Sequence, residues 1–340
     1  MHGSASRRRL LQTAGVAGTA LLAGCGGGDG DGQSTTAGTT TLPGLAASRV
    51  DVLLPETTSF YYGWMAGSLQ EILGHVDGVA DASTVRDAGG DAATQRSHLQ
   101  AAEAAGADAV VLAPVADAAL ADAVAAASVP VVVADRPVAP DARASLVAHD
   151  DERMARDAIE VLGSLLIEAD ARSSYTLAHL AVGGDAGEDP AYGERAAGFE
   201  NALRVRSTMS TAETVAVAAD PAAAASAVGD LLAEYGEGIH GFYAEDDRLA
   251  MGAHRAAADA DVDPYAVVGI GGRRAWVEQF GEGRHYGTVG RWPPGVLSRA
   301  LEVASLAAND EQVPETAGTA GVPVTRESAA GYLDQDYEFE

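Results

Sequence analysis

The sequence predicts an α/β protein made of two similar Rossmann-like lobes, each with a parallel sheet covered by helices on both faces. Three observations predict it. Short runs at 109–113 and 129–134 are apolar at nearly every position, as strands buried on both faces must be. They alternate with longer stretches whose apolar residues recur at helical spacing, the order that produces a parallel sheet. The series then repeats in the second half of the chain, and 340 residues suffice for two domains with cores of their own.

The elements follow in order. Residues 50–54 form the first strand, and a helix runs over 62–75. A weak strand at 79–87 precedes a helix at 91–105. The apolar strand 109–113 leads to a helix at 117–127, and the buried strand 129–134 is stopped by Asp135-Arg136-Pro137. A short strand at 145–148 closes the first series. The second opens with a helix over 150–169, where Met154, Ala158, Val161, Leu162, Leu165 and Leu166 share one face. A strand at 175–182, a helix at 189–205 and a strand at 214–218 come next. Asp220-Pro221 starts a helix to 235, because Asp accepts from the first amides and Pro fits the first helical position. Strands at 239–244, 266–270 and 286–290 alternate with helices at 247–260, a short one ending at 280, and 293–308. Val322-Pro323-Val324-Thr325 reads as a last strand.

The amino terminus carries a different signal. Ser6-Arg7-Arg8-Arg9-Leu10-Leu11-Gln12 is a basic head with twin arginines, followed by small and apolar residues from Thr13 to Leu22 and then Leu22-Ala23-Gly24-Cys25. The apolar stretch is too short to span a bilayer, which favours a signal peptide over a membrane helix. The pattern resembles a twin-arginine export signal ending in a lipobox. That resemblance makes Cys25 the lipidated first residue of the mature chain, exported already folded and held at the extracellular face of the membrane. As the single cysteine, it leaves no intrachain disulfide. Residues 26–48 are rich in Gly, Asp, Ser and Thr and cannot bury enough surface to offset their ordering entropy, so they read as a tether.

The formal net charge is −27, and all 22 basic residues are Arg, with no Lys in the chain. An acidic surface without Lys suits solubility in high salt; the alternative is an acidic patch for a cationic partner. Nucleic-acid binding is disfavoured, because phosphate contacts need clustered cations.

Ligands of doubly wound sheets bind at the carboxyl ends of the strands, so the residues just after each strand are the candidates. Phe60-Tyr61-Tyr62-Gly63-Trp64 places four aromatics within five positions of a chain that is 5% aromatic. It is a stacking platform for a ring or sugar face, or a helix start with its own core face. Asp135-Arg136 pairs an acceptor with a donor fork, suited to adjacent hydroxyls or a carboxylate, or to a surface ion pair. His149-Asp150-Asp151-Glu152 offers a metal site or a helix cap; no spaced His or Cys partners accompany it. Gly183-Gly184-Asp185-Ala186-Gly187 reads as a phosphate cradle or as a plain interdomain loop, and matches neither the P-loop nor the dinucleotide fingerprint. In Glu245-Asp246-Asp247 a cap and a ligand acceptor are both available, with Asp246 the candidate acceptor. Arg291-Trp292 combines a guanidinium with a ring, for holding a ligand or packing a turn. No nucleophile elbow, His-Glu-x-x-His or Cys pair occurs, so neither an enzymatic activity nor a cofactor or metal is expected.

The order of these elements resembles the periplasmic binding proteins of type 1, the ribose- and galactose-binding proteins of ABC transporters, over roughly residues 49–333. The segments that carry the resemblance are Ala107-Asp108-Ala109-Val110-Val111-Leu112-Ala113-Pro114, Val129-Pro130-Val131-Val132-Val133-Ala134-Asp135-Arg136, Gly193-Glu194-Arg195-Ala196-Ala197-Gly198-Phe199, Asp246-Asp247-Arg248-Leu249-Ala250-Met251-Gly252-Ala253, Val267-Val268-Gly269 and Arg291-Trp292-Pro293. The resemblance implies two lobes joined by three hinge crossings, with lobe one at 49–149 plus 291–324 and lobe two at 150–290 plus 325–340. It implies a monomer that closes on a small polar ligand, most simply a sugar, between the lobes and then docks on a membrane permease. Its ligand contacts map onto Thr58, Phe60, Tyr61, Asp135, Arg136, Arg195 and Asp246; Arg195 enters from the resemblance alone. Two departures bear on the ligand. Sugar binders of the family usually carry Asp where this chain has Gly271, and often Gln where it has Arg291. A more positive site makes an anionic sugar acid an alternative to a plain aldose. A sensory module reporting the ligand to a signalling protein would have the same fold and a different docking partner.

Overall fold

The computed structural model describes residues 46, 48–80, 82–139, 142–260 and 265–334, without the side chains of residues 60, 117, 118 and 188. The residues read as an export signal, Cys25 and most of the expected tether lie outside the described residues. In chain order the elements are β1 (Val50–Leu54), α1 (Phe60–Leu73), β2 (Val85–Asp87), α2 (Ala92–Ala104), β3 (Ala109–Leu112), α3 (Asp117–Ala125), β4 (Val131–Ala134) and β5 (Ser145–His149). Then come α4 (Asp151–Ala169), β6 (Tyr175–Val182), α5 (Pro190–Arg204), β7 (Met209–Val217), α6 (Pro221–Tyr235), β8 (Gly241–Ala244), α7 (Asp247–Asp259), β9 (Ala266–Gly271), α8 (Arg274–Val277) and β10 (His285–Gly290). The chain ends with α9 (Pro293–Ala308), β11 (Thr316–Thr319), β12 (Val322–Thr325) and α10 (Arg326–Leu333).

These elements form two compact units. The first holds the described residues up to His149 together with Pro293–Thr319; the second holds Asp150–Trp292 and the described residues from Ala320 onward. The first unit's sheet has the order β11-β5-β4-β3-β1-β2, and every neighbouring pair is parallel. The second has the order β12-β10-β9-β8-β6-β7, parallel except for β12, which runs antiparallel to β10. The predicted fold class is the observed one: two parallel-dominated six-stranded sheets flanked by helices.

Each sheet has an apolar core on both faces, because successive strand side chains point to opposite sides. Along β1, Val50, Val52 and Leu54 pack with Met65 and Leu69 of α1 and with Val296 and Leu297 of α9. Leu53 points the other way, onto Leu99 of α2 and Leu120 of α3. In the second unit Leu180, Phe242 and Val267 face one cluster with Val228, Leu249 and Trp276. Leu177, Tyr243 and Val268 face the other, with Ile159, Leu162 and Phe199. Each such fully buried side chain contributes about 1.5–3 kcal/mol relative to exposure. Helix starts follow the local sequence. Asp220 accepts from the amides of Ala222 and Ala223, both at 2.9 Å, with Pro221 next in line. At Gly198 an added Cβ would collide with the Glu152 carbonyl, so α5 lies on α4 at a distance only glycine permits.

Two assignments differ from the expectation. Val322–Thr325, expected to stay in the first lobe up to residue 324, pairs with β10 through Thr288↔Val324 and Gly290↔Val322 and so closes the second sheet. Arg291 and Trp292 also stay with the second unit, since the Arg291 amide extends the β9–β10 ladder by donating to the Gly271 carbonyl at 3.0 Å.

Candidate functional site

In the first unit, parallel pairing brings the residues after β1, β4, β5 and β11 to one edge of the sheet. The loop after β1 is organised by Glu56. Its carboxylate accepts from the Thr58 amide at 2.6 Å, the Thr58 hydroxyl at 2.6 Å and the Ser59 amide at 2.7 Å. Ser59, the N-cap of α1, makes no capping bond of its own, so Glu56 takes that role. Burial alone would raise the Glu56 carboxyl, but the bonds from Ser59 and Thr58 outweigh it and hold the group below its ordinary range. Thr58 is thereby exposed but oriented.

The end of β4 is built differently. Asp135 has φ +68°. Its amide donates to the Val147 carbonyl at 2.8 Å, and the Arg136 amide donates to the Ala134 carbonyl at 2.9 Å. A bond from residue i+2 back to i around a positive φ is the rarer, strained form of the γ-turn. It turns the Asp135 and Arg136 side chains out of the strand. The Tyr62 hydroxyl donates to Asp135 Oδ2 at 2.7 Å, while Arg136 is exposed. Tyr61 meets Tyr62 edge-on at 5.2 Å and His149 at 6.3 Å. His149 Nδ1 lies 3.3 Å from the Thr319 hydroxyl at the end of β11. The structure thus joins Tyr61 and Asp135 through Tyr62, with Arg136 beside them. The side chain of Phe60 is outside the described residues.

In the second unit, the ends of β8, β9 and β10 share an edge in the same way. The three acids after β8 have three different roles. Glu245 turns inward: Oε1 lies 2.9 Å from His179 Nε2, and Oε2 accepts from the Val182 amide at 2.7 Å. Asp246 caps α7 through the Arg248 amide at 2.9 Å and accepts from that residue's guanidinium at 2.7 and 3.0 Å. Arg273 Nε lies 3.8 Å away, and the Tyr192 hydroxyl donates at 3.4 Å. Burial would raise the Asp246 carboxyl; Arg248, aided by Arg273, prevails and holds it low. Asp247 is fully buried. Oδ1 accepts from the Thr288 hydroxyl at 2.7 Å and Oδ2 from the Arg273 amide at 2.6 Å. Burial dominates there and pushes this carboxyl up to about 7.

Arg195 is buried behind Tyr192, its guanidinium 5.0 Å from that ring. Nε and one terminal nitrogen each lie 2.7 Å from Asp151 Oδ1, and the other terminal nitrogen donates to the Glu245 carbonyl at 2.7 Å. It therefore ties α4, α5 and the β8–α7 junction together. Arg291 is half-buried at the end of β10, and Trp292 beside it is buried. Of the sequence-derived set, Asp246 and Arg195 are brought together through Tyr192.

Several neighbours were not legible as site residues. Arg248 and Arg273 follow strand ends by four and two residues, a spacing that marks them in retrospect. Tyr62 lies in the aromatic run but was not separated from it. His179 and Thr288 sit inside strands, where nothing local distinguishes them. At 149–152 the helix cap is observed. Asp150 caps α4 by accepting from the Arg153 amide at 2.8 Å, and among the described residues no group of three His, Cys, Asp or Glu is arranged to hold a metal. The Gly183 amide donates to the Val217 carbonyl at 2.7 Å, and a short 3₁₀ turn follows at Gly184–Glu188. No helix among the described residues is long and apolar enough to cross a membrane.

Residues 51–312, most of the chain, match the periplasmic binding protein domain model. The chain belongs to the periplasmic binding protein family. Solved structures agree on the fold of this periplasmic binding protein. An ABC transporter solute-binding protein from Mycobacterium smegmatis, with bound glycerol, is 23% identical with a TM-score of 0.57, covering 87% of this chain and 100% of its own. One from Bacillus halodurans, with bound myo-inositol, is 22% identical with a TM-score of 0.57, over 86% and 99%. A periplasmic ribose ABC transporter protein from Conexibacter woesei is 16% identical with a TM-score of 0.68, over 85% and 96%. No curated protein matches the sequence.

Proposed function

We propose that this periplasmic binding protein is the solute-binding lipoprotein of an ABC importer, anchored outside the cell through Cys25, and that its ligand is a monosaccharide or a related polar molecule. One observation carries the reading. Each unit gathers oriented carboxylate and guanidinium groups with aromatic rings at the carboxyl edge of its own parallel sheet, where such sheets bind ligands. Tyr61, Asp135 and Arg136 form the first set, and Asp246, Arg273 and Tyr192 the second. On this reading Thr58, Phe60, Arg195 and Trp292 complete the contacts, and hinge closure commits the ligand before the protein docks on its permease. Micromolar binding needs about −8 kcal/mol, within reach of a few charge-assisted bonds of about 1.5–3 kcal/mol each. The polyols bound by the two solute-binding proteins of similar fold support a hydroxyl-rich ligand.

The test is a thermal-shift and calorimetric screen in high salt with glycerol, myo-inositol, ribose, arabinose, glucose, gluconate and galacturonate. The expected outcome is a raised Tm with at least one of them, since a ligand at a hundredfold its Kd stabilises by about 2.7 kcal/mol. No shift with any small polar compound overturns the proposal. The guanidiniums of Arg136, Arg248, Arg273 and Arg291 favour a second reading, a sugar acid, and a preference for gluconate over glucose would select it. Mass spectrometry of the exported chain checks the anchor: a mature protein that does not begin at a lipidated Cys25 removes it.

A further inference from the structure

We infer that Tyr62 is a positioning residue for Asp135: its hydroxyl holds one oxygen of the carboxylate in the orientation presented to a ligand. The inference rests on the solute-binding reading above and adds a residue to it.

The backbone at Asp135 has little freedom left. A γ-turn with φ +68° is held on one side by the amide of Asp135 on Val147 and on the other by the amide of Arg136 on Ala134. Non-glycine residues rarely adopt this region, and where they do the surrounding structure imposes it. What remains adjustable is the side chain. The carboxylate has two torsions, and the Tyr62 hydroxyl meets one of its oxygens at 2.7 Å. Tyr62 can impose an orientation because it is itself immobile. It is 6% exposed and belongs to the core packed under β1 and β4. Its ring is braced edge-on by Tyr61 at 5.2 Å, and Tyr61 contacts His149 at the end of β5. A fixed ring on α1 thus holds a carboxylate just after β4, 73 residues away in sequence.

A tyrosine that only filled core volume would be replaced by phenylalanine at little cost to Asp135. A positioning tyrosine would not, because preorganisation of a polar contact is lost with the hydroxyl. Four proteins separate the cases: wild type, Tyr62→Phe, Asp135→Asn and the double variant. Each is titrated calorimetrically with whichever compound of the seven-member panel binds wild type. Tyr62→Phe is expected to weaken binding about tenfold, the size of one hydrogen bond, and to add nothing further in the Asp135→Asn background. Wild-type affinity in Tyr62→Phe, or losses that multiply in the double variant, overturns the inference. A crystal structure of Tyr62→Phe decides it without a ligand. The Asp135 carboxylate is expected to leave its wild-type orientation, and a carboxylate found unmoved overturns the inference. A panel with no binder sinks the solute-binding reading and leaves that structural outcome to decide this one.

Discussion

In the first unit Asp135 stands on a left-handed turn and accepts from the Tyr62 hydroxyl; in the second, Asp246 begins a helix and meets the guanidiniums of Arg248 and Arg273. Both acids follow a strand at the carboxyl edge of a parallel sheet. The difference lies in what compensates them. The start of α7 supplies a backbone amide and a favourable helix dipole to Asp246, and two arginines add opposite charge. The second unit therefore builds its acids into the fold. The first places Asp135 outside any helix, on a strained turn beside the Tyr62 hydroxyl. Charge in the second set should be costly to remove, while charge in the first should be removable with the fold intact.

The largest expected effect tests that asymmetry. Arg195→Ala strands Asp151 in the interior of the second unit, and breaking a buried pair in this way costs about 3–5 kcal/mol. Arg136→Ala, on an exposed side chain of the first unit, should stay within about 0.5 kcal/mol of wild type. Denaturant unfolding of both variants in high salt is the measurement, and equal losses would break the comparison.

A smaller effect belongs to Asp247. Burial lifts its carboxyl from 3.8 to about 7 against the pull of Arg273 and Thr288. Between those values the folded chain holds a proton that the unfolded chain has released, so this group makes stability fall as pH rises through the window. Thermal unfolding between pH 5 and pH 8, a range of about three units, should show that fall, and Asp247→Asn should flatten it. A slope unchanged in the variant would assign it to other groups.

The smallest effect is local. Glu56→Gln weakens the bonds that order the amides of Thr58 and Ser59. Faster hydrogen exchange at those two amides with a nearly unchanged Tm is expected. A large drop in Tm would show that the first unit, too, builds its acids into its stability.

How far the sequence reaches differs between the same two regions. Strands such as β3 and β4 are legible because they are apolar on both faces. β7 is an edge strand with many exposed positions, so its first half carries no apolar signal, and it begins at Met209, not at 214. β11 reads Thr-Ala-Gly-Thr and offers no periodicity at all; its place comes only from pairing with β5. Likewise, residues beside a strand end, such as Asp135 and Asp246, can be found by their position. Tyr62 and Thr288 act across long separations, and no local pattern says which aromatic or hydroxyl will face which acid. The sorting of Glu245, Asp246 and Asp247 into three roles depends on which way each side chain points at a strand–helix junction, and three adjacent acids look alike in one dimension.

The edge strands β11 and β12 have a consequence for biosynthesis. They complete different sheets and are separated by two residues, 320 and 321. A nascent chain halted at residue 310 would lack an outer strand on each sheet. Neither sheet is therefore complete until residues 316–325 have left the ribosome.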